Sequence, residues 1–138
     1  MQNIPNSNVI HSYKDLVVWQ KAVDLSVKIY DLTEKFPNEE KFGLVSQMRR
    51  AGVSIPSNIA EGRMRGTRKD FLSFLRISYG SGAELETQLE ISKRLLKTGR
   101  LDYLKVDLNL EEVMKMLNVM IKNMNPELKA NEAKSYKL

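Results

Sequence analysis

Arg63, Arg65, Arg68 and Lys69 place four cations within seven positions, and no acid interrupts them. Guanidinium forks and ammonium groups at that density suit phosphate oxygens: each contact releases counterions and gives an affinity that falls as salt rises. Arg49 and Arg50, earlier in the same Met48–Lys69 stretch, are placed to help. No aromatic interleaves the cluster, so backbone or shape recognition is expected rather than base stacking or sequence reading. Two other readings use the same side chains: a docking site for an acidic protein, and a solvated basic loop with no partner.

Other reactive chemistry is thin. Arg50, Ser54, Asn58 and Glu61 recur at helical spacing, and a functional site on Asn58 and Glu61 competes with a hydrogen-bonded network that sets helix register, Arg50 or Arg63 satisfying Glu61. Two polar residues and one acid contain no nucleophile–base pair, so the network is preferred and no catalytic residue is assigned. The chain has no cysteine, and its single histidine, His11, lies in a stretch without apolar periodicity. Metal-ligand spacing is absent, and neither a metal nor a cofactor is expected. Gly80-Ser81-Gly82-Ala83 lacks the Lys-Ser/Thr pair of a phosphate loop and falls inside a helical pattern, where small residues let a neighbouring helix approach.

Amphipathic helices must hold these groups. The first is expected from about Asp15, a plausible N-cap, to Lys35, with Leu16, Trp19, Val23, Val27 and Tyr30 on one apolar face. Trp19 in that register reads as core rather than as a base platform. Phe36-Pro37 stops the helix. The second runs from about Glu40 to Glu61 along a seam of Met48, Gly52, Ile55, Ile59 and Gly62. Pro56 inside it removes a bond to Gly52, and a kinked but continuous helix is expected, with a break at Ile55 as the alternative. Gly62 to Thr67 is the loop, and Thr67 with Asp70 caps a third helix reaching about Lys97. Phe71, Leu75, Ser78, Gly82, Leu85, Leu89, Ser92 and Leu96 form a sustained heptad seam. Gly99 is the expected C-terminal cap, and Lys93, Arg94, Lys97 and Arg100 suit the helix dipole, which ranks this second basic cluster below the loop.

The fourth helix is expected from about Asp102 to Met124. Twelve of its twenty-one positions from Leu104 to Met124 are Leu, Ile, Val or Met, more than one bundle face requires. The surplus (Val113, Met116, Val119 and Met120 beside Leu110, Met114, Leu117, Ile121 and Met124) predicts a second buried face and self-association. Four such helices with short connections predict an all-α, up-down-up-down antiparallel four-helix bundle over 14–124. Residues 1–13 read as a flexible arm and 125–138 as a polar tail.

The net charge of +5 is local. Residues 1–62 hold seven basic and seven acidic side chains, residues 101–138 six and six, and residues 63–100 nine against four. A localised excess hints at an anionic partner better than a uniform one. No signal peptide or membrane-length apolar run is present, and with no cysteine a soluble, cytoplasmic protein is expected.

DLVVWQKAVDLSVKIYDLTEKFP, FGLVSQMRRAGVSIPSNIAEG and FLSFLRISYGSGAELETQLEISKRL resemble the four-helix bundle proteins encoded in intervening sequences of bacterial 23S rRNA genes. The resemblance covers roughly residues 13–122. It implies a left-handed bundle assembling as a homopentameric ring, with no assigned catalytic residues. The chain is also similar to the accessory protein of diversity-generating retroelements, which implies nucleic acid and a reverse transcriptase as partner classes; RNA is the nucleic acid expected, and a polymerase is a further acidic partner class. Arg49, Arg50, Pro56, Asn58, Glu61 and Gly62 match the family pattern, and GRMRGTRK keeps its basic character. Gly80-Ser81-Gly82 is richer in glycine than that pattern.

Overall fold

The computed structural model describes residues 12–125. They form four helices, α1 (Val17–Thr33), α2 (Ser46–Met64), α3 (Arg68–Arg94) and α4 (Leu104–Met124), and no strand occurs among the described residues. The main packing is of α1 on α2 and α4, and of α3 on α2 and α4. One core gathers Leu25, Ile29, Met48, Ile55, Ile59, Leu75, Leu85, Leu89, Val113 and Leu117. Most of the arm and tail expected at 1–13 and 125–138, His11 included, lies outside the described residues.

The first helix starts later and faces differently than its sequence suggests. Asp15 is not its N-cap; it closes a short 3-10 turn, Tyr13–Asp15, whose own cap is Ser12. The stripe turned to the core is Val18, Ala22, Leu25, Ile29 and Leu32. The expected stripe lies roughly a third of a turn round the helix, leaving Val27 57% and Tyr30 44% exposed. Trp19 is half-buried against the core and meets Tyr13 edge-on at 5.3 Å. Both stripes are apolar and both have helical period, so periodicity alone does not choose between them.

A 3-10 turn, Asn38–Glu40, and a π-helical turn, Lys41–Val45, that is broken by the non-helical backbone of Gly43, delay the start of α2 to Ser46. Its seam is as expected: Met48, Gly52, Ile55, Ile59 and Gly62 are all buried. The helix runs unbroken through Pro56. Pro56 has no N–H to offer the Gly52 carbonyl, and the Ser26 hydroxyl of α1 donates to that carbonyl instead, at 2.8 Å. A side chain from the neighbouring helix thus offsets the missing backbone bond, and break-up at Ile55 does not occur.

The α3 seam from Phe71 to Ser92 is buried, but the helix stops at Arg94, before Leu96 and Lys97. Leu95 is extended and Leu96 is 84% exposed. The Thr98 hydroxyl donates to the Ser92 carbonyl at 2.7 Å, and Tyr103 Oη donates to the Thr98 carbonyl at 2.9 Å, which folds the chain back. Gly99 is therefore a turn glycine, not the cap: a Cβ there would stand 2.7 Å from the Lys93 carbonyl oxygen. Gly82 admits Met114 of α4, whose sulfur lies 2.1 Å from where a Cβ would be. Gly80 meets nothing within 4 Å and packs on no described residue.

In α4 the apolar surplus divides. Val106, Leu110, Val113, Leu117 and Ile121 enter the core, Met114, Met116, Met120 and Met124 are partly buried against it, and Leu104, Leu108 and Val119 face outward. No described helix is long and apolar enough to cross a membrane.

Candidate nucleic-acid interface

The basic end of the bundle is built on Gly62. A Cβ at that position would come within 2.5 Å of Phe74 Cβ and 3.4 Å of Phe71 Cδ1, so only glycine lets α3 approach the last turn of α2 this closely. The two phenyl rings then serve as shelves. The Arg63 guanidinium carbon lies 5.9 Å from the Phe71 ring and that of Arg65 5.2 Å from the Phe74 ring, within cation–π range.

The loop is shorter than its composition suggests. Arg63 and Met64 continue α2, because nothing in the Gly62–Met64 segment stops it. Gly66, at φ 85°, is the terminator. Thr67 caps α3, its hydroxyl accepting from the Asp70 amide at 3.1 Å. Arg68 and Lys69 therefore occupy the first turn of α3, and Arg68 Nη2 donates to the Asn123 carbonyl at the end of α4, at 3.3 Å. Arg63, Gly66, Thr67, Arg68, Phe71, Asn123 and Met124 line a shallow recess there.

Arg49 and Arg50 are not part of this end. They stand fourteen and thirteen residues before Arg63 on one continuous helix, about 20 Å along its axis. Arg49 is engaged by α1: its Nε donates to the Thr33 hydroxyl at 2.9 Å, its Nη2 is 3.6 Å from the Glu34 carboxylate, and it lies over the Tyr30 ring at 4.4 Å. Arg50 is exposed and has no ion-pair partner among the described residues. Asn58 and Glu61 are both bonded within α2 and its C-cap. Asn58 Nδ2 donates to the Ser54 carbonyl at 2.8 Å and to its hydroxyl at 2.9 Å, and Ser54 reaches Ser81 of α3 at 2.8 Å. Glu61 pairs with Arg65 at 2.9 Å, rather than with Arg50 or Arg63.

Charge pairing separates the two basic clusters. At the far end of α3, Lys93 pairs with Asp107 at 2.7 Å, Arg94 with Glu90 at 3.1 Å, and Lys97 with Glu39, and of that cluster only Arg100 has no ion pair among the described residues. At the near end only Arg65 has an acidic partner, and no ion pair among the described residues engages Arg63, Arg68 or Lys69. Arg76, on the exposed side of α3, is likewise outside every such pair; its place two turns beyond Lys69 is the sequence signal that would have found it.

An apolar groove opens elsewhere, between α1 and α2, lined by Val23, Ser26, Val27, Tyr30, Val53 and Pro56. Its lining includes Val23, Val27 and Tyr30 of the stripe expected in the core, whereas Leu16 and Trp19 pack against the core. Among the described residues no three His, Cys, Asp or Glu side chains gather where a metal ion would be held.

Comparison with known proteins agrees with this architecture. A family model described as 23S rRNA-intervening sequence protein matches residues 14–119. A crystal structure of a protein of unknown function from the S23 ribosomal protein family of Bacteroides thetaiotaomicron is similar, with 33% identity and a TM-score of 0.70 over 77% of this chain and 99% of that one. No curated protein matches the chain.

Proposed function

The chain belongs to the family of 23S rRNA-intervening sequence proteins, and we propose that it is a non-enzymatic, oligomeric, cytoplasmic protein that binds nucleic acid, RNA in particular, through the basic end of its bundle. One observation carries the reading: Arg63, Arg68 and Lys69 are left without acidic partners, whereas Lys93, Arg94 and Lys97 are each neutralised. Unneutralised cations held on a rigid helix end are the arrangement that gains most from releasing phosphate counterions.

Contacts running in opposite order along neighbouring helices support an antiparallel up-down-up-down bundle: Ser26 meets Gly52 and Thr33 meets Arg49, Met48 meets Ser92 and Ile55 meets Ser78, Gly82 meets Met114 and Lys93 meets Asp107, Lys21 meets Glu112 and Lys28 meets Asn109; a left hand is what the family resemblance implies. Assembly as a homopentamer, which the family resemblance implies, would repeat the basic end about a symmetry axis, and weak phosphate contacts would add through avidity. Arg49 and Arg50 act in this reading as helpers at a distance, Arg49 only after leaving Thr33 and Glu34.

The test compares the two clusters. A variant with Arg63, Arg65, Arg68 and Lys69 changed to Ala is expected to lose binding to a structured RNA in fluorescence anisotropy. A variant with Lys93, Arg94 and Lys97 changed to Ala is expected to keep it. Equal loss in both would mean bulk charge, not the loop, is what RNA responds to.

A second reading is favoured by the α1–α2 groove: a protein-binding scaffold for an acidic partner such as a polymerase or reverse transcriptase. Its apolar lining sits beside Arg49 and Arg50. A purified partner that stays bound after nuclease treatment, and leaves on Val27→Asp, would support this reading.

A further inference from the structure

Lys69, Ser73, Arg76 and Gly80 recur four, three and four residues apart and share one exposed stripe of α3 leading away from the basic end. Lys69 and Arg76 are two turns apart, about 10.5 Å along the helix. Residues 71–83 contain no acid, and neither cation is in an ion pair among the described residues. Gly80 adds bare backbone, with no atom within 4 Å of a Cβ position. Tyr79, three residues past Arg76, is 36% exposed. It lines the mouth of the α3–α4 groove beside Ala83 and Met114. Beyond it the groove is lined by Glu86 and by charges that pair with one another, Lys93 with Asp107, Arg94 with Glu90 and Lys115 with Glu111.

The stripe thus carries two cations unpaired among the described residues, Lys69 and Arg76, and leads to a partly exposed aromatic ring, beyond which the groove's charges are largely paired with one another. We propose that the phosphate surface continues along α3 through Arg76, and that Tyr79 is a stacking platform for an unpaired base, so that the partner is single-stranded nucleic acid. The inference rests on the basic end being the phosphate site. It also revises the expectation of backbone recognition alone. Stacking is sequence-tolerant because every base has a π-face, while a duplex keeps its bases stacked on one another. An aromatic ring at the end of a phosphate track therefore selects for unpaired strands.

The test uses the full chain with two probes, a fluorescein-labelled oligouridine of about twelve nucleotides and an RNA duplex of the same length. Tyr79→Ala is expected to weaken oligouridine binding about five- to hundredfold and to leave the duplex unchanged. Tyr79→Phe keeps the ring and should bind like wild type. Arg76→Ala should lower the salt slope on oligouridine by about 0.7, the value of one single-strand phosphate contact. Thermal melts check folding, and the Tyr79→Phe and Arg76→Ala results stand even if Tyr79→Ala unfolds. Wild-type oligouridine binding by Tyr79→Ala, or equal weakening on both probes, while the four-alanine loop variant loses both, would overturn the inference and leave the basic end as the phosphate site. No binding by wild type, or full binding by the loop variant, would overturn both.

Discussion

Single residues do work here that their types alone do not announce. Gly62 and Gly80 look alike in the sequence and behave oppositely. Gly62→Ala would push a methyl group into Phe74 Cβ, the inflexible root of that side chain, and overpacking of this kind costs about 1–3 kcal/mol. Gly80→Ala meets open space and should stabilise the helix by about 0.5–1 kcal/mol. Urea denaturation of both variants checks the pair, and stabilisation by Gly62→Ala would contradict the packing described. Ser26 is the second case. Its hydroxyl serves the Gly52 carbonyl that Pro56 leaves open, so Ser26→Ala should cost about 1 kcal/mol. In a Pro56→Ala background the restored amide can take that carbonyl, and the cost of Ser26→Ala should shrink by about 0.5 kcal/mol or more in a double-mutant cycle. Strict additivity would show that the hydroxyl and the proline are unrelated.

Elements differ in how far their sequences disclose them. The α3 seam was legible because Phe71, Leu75, Ser78, Gly82, Leu85, Leu89 and Ser92 offer only one face with unbroken period, and all are buried. The α1 face was not, since Val18-Ala22-Leu25-Ile29-Leu32 and Leu16-Trp19-Val23-Val27-Tyr30 are both apolar stripes, and only the position of α2 and α4 decides which turns inward. The basic end was legible as composition, but the pairing that distinguishes it from the Lys93–Lys97 cluster depends on Glu39 and Asp107, fifty-eight and fourteen residues away from their partners. The connection between α3 and α4 was also hidden, because it hangs on Tyr103. Burial, chiefly, raises the Tyr103 phenol above its usual 10.0, with Asp107 adding in the same direction and hydrogen bonds from Thr98 and Ser92 opposing. The folded state then holds this proton more tightly than the unfolded one, so the stabilisation is complete below pH 10.0 and is lost as pH rises through the raised value. Tyr103→Phe should be less stable at neutral pH by about 1 kcal/mol, having lost the bond to the Thr98 carbonyl. The gap between variant and wild type should narrow in melts run above pH 10.0, and a gap that widened there would contradict the assignment.

For the whole molecule the account joins one fold to one asymmetry of charge. The bundle positions cations at the junction of α2 and α3, and acids pair with Lys93, Arg94 and Lys97 at the opposite end of α3. Self-association, with the exposed Val27, Tyr30 and Val53 of the α1–α2 face and the exposed Leu104, Leu108 and Val119 of α4 as apolar surface to cover, is expected to give a pentamer in light scattering, and the loop variant should keep it. The central claim is that phosphates meet the basic end, and the slope of binding affinity against salt tests it most directly. Titrating a structured RNA at several salt concentrations between about 50 and 200 mM gives a slope proportional to the number of phosphates neutralised. The account predicts a steep slope for wild type and a much shallower one, with weaker binding, for the protein lacking Arg63, Arg65, Arg68 and Lys69 but unchanged in assembly. Equal slopes for the two proteins would contradict it.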